Sequence, residues 1–175
     1  MMTIAMALRR IKKLKGQVSE ITNRAYQSVH WLDKKEPDFR FSSLIEQQEA
    51  KITEMIELEA AVAAANATNT IKFKDKDITI SKAIRWLQET KGAISFYGSL
   101  QIREGEEERP TMEWDDTLER NVRRKEIIIH KSAISGVDRV KKIEELRDFF
   151  EELNNLVETA NHRVEITYEE PEGNS

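Results

Sequence analysis

The sequence predicts a mainly α-helical chain: a long helical hairpin or antiparallel coiled-coil-like bundle, with a small β-hairpin or three-stranded sheet at one end. Three observations carry that expectation. Apolar residues recur at heptad spacing near both ends of the chain. Only six glycines and three prolines accompany a 34% charged composition over 175 residues, which suits long exposed helices better than a loop-rich β protein. Between 71 and 80 the apolar period switches from that of a helix to two.

The first helix is expected over about 3–32. Ile4, Ile11, Val18, Ala25 and Leu32 fall seven apart, and Ala7, Leu14, Ile21 and Ser28 follow each by three. That is an a/d seam sustained over about four heptads. Thr3 can cap its start, and Pro37, after Asp33-Lys34-Lys35-Glu36, ends it. The second helix, about 43–66, starts at a Ser43–Glu46 capping box. Ile45, Ile52, Met55 and Val62 form its stripe, and Leu44, Ile56 and Leu58 widen it toward more than one partner. Small residues over 60–65 allow close helix approach, and Asn66 to Thr70 favour a turn.

Ile71, Phe73, Ile78 and Ile80 then alternate with polar residues around Lys74-Asp75-Lys76-Asp77, the pattern of a short hairpin at about 71–80. Ser81 is expected to cap a third helix, about 82–100, with Ile84, Leu87 and Ile94 inward. Residues 104–110 read as a charged loop. Trp114, Leu118 and Val122, four apart, read as a short helix, and the β-branched 126–131 as a third strand beside the hairpin. The last helix, about 138–162, carries Ile143, Leu146, Phe150, Leu153, Val157, Ala160 and Val164 in steps of three and four. Val164, Ile166 and Tyr168 alternate as a short strand. The expected organisation is one domain over 1–168 and a disordered tail over 169–175.

A helical hairpin buries stripes, not a globule, so its core is thin. Part of the apolar surface is therefore expected to be covered by a second copy. The formal charge of −4 argues against a general nucleic-acid binder. The absence of cysteine removes disulfides, thiolate chemistry and Cys-ligated zinc. The apolar start 1–8 is too short for a signal peptide and precedes its basic residues. No run approaches the roughly 20 apolar residues of a membrane helix. A cytoplasmic protein is expected, or a virion-associated one if phage-encoded.

Catalytic signatures are missing. There is no phosphate-cradling glycine loop, no Gly-x-Ser-x-Gly elbow and no cysteine nucleophile. His30, His130 and His162 stand on three different elements, with no ligand partner at clear spacing. Glu106, Glu107 and Glu108 lack the alternating oxygen ligands and turn glycine of an EF-hand. The chain is read as a non-enzyme with no catalytic residue, metal, cofactor or small-molecule substrate. Trp31, Trp86, Trp114, Phe96 and Tyr97 are scattered, which fits core or interface anchors better than a stacking platform in a basic groove.

Arg9, Arg10, Lys12, Lys13 and Lys15 form a basic block. It can bind phosphate or anionic lipid, or it can flank a helix seam, with Arg10 and Lys15 at partner-selecting positions. Glu144, Glu145, Asp148, Glu151 and Glu152 supply an acidic block on the last helix. Pairing of Arg9, Arg10 and Lys13 with Glu145, Asp148 and Glu152 is the favoured expectation.

The order of features resembles the DIP1984 family, small bacterial proteins of unknown function. A heptad helix is followed by a helix ending in Asn66-Ala67-Thr68-Asn69. A charged hairpin then leads into a Ser-started helix, Phe73 through Ile84, and a final heptad helix ends at Asn161. The chain departs from the family where its strand usually carries a Trp, here Ile127 to His130, and in its acidic 104–110 segment. The resemblance implies no catalytic residues. Some members are labelled septicolysin, a pore-forming cytolysin name, and small helical proteins of this sort also occur among phage structural and assembly genes.

The function expected is a self-associating structural or assembly subunit of scaffold type, a homo-oligomer that also meets other structural proteins. Its interface is expected at Ile11, Val18 and Ile21 in the first seam and Phe150, Leu153 and Val157 in the last. The alternatives are a septicolysin-like membrane-active protein and nucleic-acid binding through the basic first helix.

Overall fold

The computed structural model describes residues 2–32 and 39–168. The expected stop at Pro37 and the expected tail over 169–175 lie outside the described residues. Among the described residues four helices dominate, accompanied by three two-stranded antiparallel sheets. In chain order the elements are β1 (Met2–Thr3), α1 (Ile4–Ser28), α2 (Phe41–Thr68), β2 (Thr70–Phe73), β3 (Lys76–Thr79), α3 (Ile80–Ser99), β4 (Gly105–Asp115), β5 (Arg120–His130), α4 (Gly136–Arg163) and β6 (Glu165–Ile166). The chain divides into two compact units. The first comprises Met1–Leu87 and Glu152–Ser175, the second Gln88–Glu151.

In the first unit the heptad seam is the buried face of α1. Ile4, Ala7, Ile11, Leu14, Ile21, Ala25 and Ser28 are buried and Val18 is half-buried. Thr3 caps the helix, its Oγ1 accepting from the Met6 N–H at 3.3 Å. The helix stops at Ser28, so Leu32 lies beyond it and is exposed. α2 runs antiparallel along α1. Leu44 and Ile45 pack on Ile21 and Ala25, while Glu54, further along α2, meets Arg10 nearer the start of α1. Between these levels the Gln48 amide donates to Thr22 Oγ1 at 2.6 Å.

The expected start and stripe of α2 shift. The helix begins at Phe41 with Arg40 at its cap and no side-chain cap bond. Ser43 is thus inside the first turn, where its hydroxyl accepts from Gln47 instead of forming a capping box. Leu44, Leu58, Val62 and Ala65 are the buried line; Ile45, Ile52 and Met55 are half-buried and Ile56 is exposed. Asn69 closes the helix, its backbone N–H and Nδ2 both donating to the Ala65 carbonyl.

The hairpin β2–β3 forms where the period of two predicts it. Ile71, Phe73 and Ile78 are buried, and Lys74 and Asp75 take the two positive-φ positions of the turn, as a two-residue hairpin requires. Thr79, not Ser81, caps α3, its Oγ1 accepting from the Lys82 N–H at 3.2 Å. Ile80 and Ala83 are fully buried. At the chain's other end Leu153, Val157 and Ala160 of α4 are buried. The expected strand near Val164 pairs with β1, Met2 opposite Ile166 and Thr3 opposite Glu165.

In the second unit, three expectations are corrected together. Residues 105–115 are a strand and neither a loop nor a short helix, and the strand containing 126–130 pairs with them, not with β2–β3. Every position from Gly105↔His130 to Asp115↔Arg120 is in register. The cause is complementary charge on two segments joined by a short turn. Such a pairing closes a far smaller loop than one reaching back to β3. Asp115 shapes the turn, its Oδ1 accepting from the N–H groups of Thr117 and Leu118.

Candidate interaction surface

Residues opposite one another in an antiparallel pair share a face. One face of the β4–β5 hairpin therefore carries Pro110, Met112, Trp114, Ile127 and Ile129 among Glu106, Glu108, Asn121, Arg123 and Lys125. Every one of these residues is exposed. Met112 stands 67% open, Ile129 62%, Ile127 60% and Trp114 59%. The half-covered positions of the hairpin, Thr111, Asp115, Val122, Ile128 and His130, all fall on the opposite face.

Cross-strand charge holds the ladder. Lys125 Nζ meets Glu108 Oε2 at 2.6 Å, Arg124 meets Glu113 at 3.1 Å and Asp115 at 3.8 Å, and His130 Nε2 lies 2.8 Å from Glu107. Each such exposed pair adds only about 0.2–1 kcal/mol, but together they fix which residue faces which. The hairpin's eight carboxylates outnumber its five lysines and arginines. On the open face itself Glu106 and Glu108 are balanced by Arg123 and Lys125. Its neutralised charges and exposed isoleucine, methionine and tryptophan match the composition of protein interfaces.

The second unit is tied by polar contacts. Ser132 Oγ accepts from the Arg103 N–H at 3.1 Å and donates to the Arg103 carbonyl at 2.7 Å, prolonging the base of the hairpin. The Arg139 guanidinium donates to the Leu100 carbonyl at 2.9 Å, satisfying an orphan acceptor just past α3. Ser135 caps α4, accepting from the Asp138 N–H and donating to its carboxylate. All the buried hydrophobic residues of the described chain, from Ile4 to Ile166, belong to the first unit; in the second only Thr90 is buried. Phe96, Leu118, Val137 and Val140 are exposed there as well.

The residues expected to form an interface divide accordingly. Ile11, Ile21, Leu153 and Val157 are already covered within one chain, and Val18 and Phe150 are half-buried. The apolar stripe of α4 is continuous in sequence. Its burial is not: Ile143, Leu146 and Phe150 are half-open, while Leu153, Val157 and Ala160 are closed.

The charge partners also differ from those expected. Arg10 Nε meets Glu54 at 2.5 Å and Lys15 Nζ meets Glu59 at 2.9 Å, so α2 supplies acid to the basic block of α1. The Arg10 guanidinium also stands 6.0 Å from the centre of the Tyr168 ring. Arg9 and Lys13 are exposed, as are Asp148 and Glu152. Glu145 takes Lys142 at 3.0 Å within its own helix, and that hydrogen bond and charge hold the Lys142 ammonium above its ordinary pKa. The physical reason is proximity. The adjacent antiparallel helix presents Glu54 and Glu59 to the basic block, partners the sequence reading did not name.

Among the described residues no group of three or more histidines and carboxylates is placed to hold a metal ion. His30 follows α1, His130 ends β5 and His162 lies in the last turn of α4. Among the described residues, too, no helix is long and apolar enough to cross a membrane. No family model, curated protein or solved structure matches the chain.

Proposed function

We propose that the protein is a non-enzymatic, self-associating subunit of structural or assembly type, and that Gln88–Glu151 is the part a second chain covers. One observation carries this reading: that unit has no buried hydrophobic residue of its own. Burying apolar surface stabilises by roughly 25 cal/mol per Å², and that is the main term offsetting chain entropy. A unit that leaves isoleucines, a tryptophan and a methionine in water gains little of it alone. A protein surface laid over the open hairpin face supplies it.

Light scattering at micromolar concentration tests the reading, with a dimer or larger assembly expected. Amide-exchange protection of 105–130 should also rise with protein concentration, while that of 70–79 stays constant. A strict monomer with concentration-independent exchange overturns it.

A further inference from the structure

We propose that the free edge of β5 pairs with β5 of a second copy, antiparallel and centred on Ile128, joining two hairpins into one four-stranded sheet. The inference rests on the reading that the chain self-associates through its second unit.

Among the described residues β4 and β5 form a two-stranded sheet, so each has one edge facing away from its neighbour. The two edges differ. β4 carries Pro110 at its middle, opposite Lys125. Proline has no N–H to donate and is found where its nitrogen points away from the neighbouring strand. The outer edge of β4 is thus interrupted, a usual guard against strand addition. β5 contains no proline, and its second half is the β-branched run Ile127-Ile128-Ile129.

The same proline fixes which backbone groups of β5 are free. If the Pro110 nitrogen faces outward, Pro110↔Lys125 is a pair without ladder bonds. Such pairs alternate, so Glu108↔Ile127 and Glu106↔Ile129 are of the same kind. Ile127 and Ile129 then turn their N–H and C=O groups toward the free edge.

The segment Glu126-Ile127-Ile128-Ile129-His130 is complementary to itself when reversed. About a twofold axis at Ile128, Ile127 faces Ile129 of the second copy and Ile128 faces its own equivalent. At both ends Glu126 faces His130 of the second copy. The outward-turned groups of Ile127 and Ile129 meet one another, as a hydrogen-bonded pair requires. Registers centred on Arg124 or Lys125 place basic residues against each other, and one centred on Glu126 places carboxylate on carboxylate, each unfavourable. In the Ile128 register Lys125 faces Lys131 of the second copy, just past the strand, and the charge of Lys125 is already met by Glu108. Backbone alternation admits a register centred on any residue of β5, and the Glu126–His130 pairing at both ends favours the one centred on Ile128.

The chain lacks cysteine, so single-cysteine variants of the full chain report the register under mild oxidation. Facing side chains in an antiparallel pair lie about 4.5–5.5 Å apart between Cβ atoms, close enough for a disulfide. Ile128→Cys is expected to give a covalent dimer. Glu126→Cys alone should not, because its two copies lie four residues out of register, roughly 13 Å apart. A mixture of Glu126→Cys and His130→Cys should cross-link as a heterodimer. Ile127→Pro, which removes one outward N–H, should weaken association at least tenfold with an unchanged circular dichroism spectrum. Association without the Ile128 cross-link, or unaffected by Ile127→Pro, overturns the strand pairing and leaves self-association standing. A strict monomer overturns both.

Discussion

The two hairpins among the described residues are built on opposite physical terms. β2–β3 has four-residue strands, a two-residue turn and three buried apolar side chains, Ile71, Phe73 and Ile78. β4–β5 has eleven-residue strands, several cross-strand ion pairs and no buried side chain. Hydrogen bonds within a ladder largely replace bonds to water, so length alone adds modest net stability. The short hairpin is anchored by apolar contact. The long one has register without anchorage, the condition of an element presented to something else.

Substitutions can break this contrast. Phe73→Ala should have the largest effect. Phe73 is buried with its ring edge-on to Trp86 at 6.3 Å between centroids, so a loss of about 3–5 kcal/mol in urea unfolding is expected. Ile127→Ala should cost less than about 0.5 kcal/mol when measured at concentrations too low for association. Equal losses at the two sites would erase the distinction.

Charge reversal of Arg124 and Lys125 to Glu sharpens the comparison further. Both residues pair with carboxylates of β4. Exchange protection over 105–130 should fall by about tenfold or less, the equivalent of roughly 1 kcal/mol, while that over 70–79 is unchanged. Retained protection in the long hairpin would show that something other than charge sets its register. A small effect of opposite sign is expected in the short turn. Asp75 sits at φ 61, a conformation that costs an L-residue about 1–2 kcal/mol, much of which glycine avoids. After glycine's entropic penalty, Asp75→Gly should raise stability by no more than about 0.5–1 kcal/mol. A drop would mean that the exposed Lys72–Asp75 pair matters more than backbone strain.

The same contrast governs how much was legible in the sequence. The α1 seam could be read because a buried stripe leaves a period: seven of its eight positions from Ile4 to Ser28 are buried. The short hairpin left alternation, again because one face is covered. The long hairpin left only a fragment of alternation, Pro110, Met112 and Trp114, and the unbroken run Ile127-Ile128-Ile129, since both of its strands are largely solvated. Its signal was a change of sign, acidic residues before Asp116 and basic ones after Glu119. The spacing of Trp114, Leu118 and Val122 mimicked a helix turn and obscured it. Of the candidate surface, Trp114 was legible as an interface anchor. Ile127 and Ile129 were legible as strand residues, but their exposure was not, because sequence records composition and not what covers it.

The two-residue sheet β1–β6 ties Met2 and Thr3 to Ile166 and Glu165, and the Ile4 N–H donates to the Val164 carbonyl at 3.0 Å. These partners stand far apart in the sequence, so on the ribosome they appear at different times. At 5–20 residues per second, roughly ten to thirty seconds separate their synthesis. α1 and α2 are complete well before that and can close on each other from local contacts. The fully buried Ile4 cannot reach its final surroundings until the strand after α4 emerges. Closure around Ile4 thus waits for β6, a segment made long after α1 and α2.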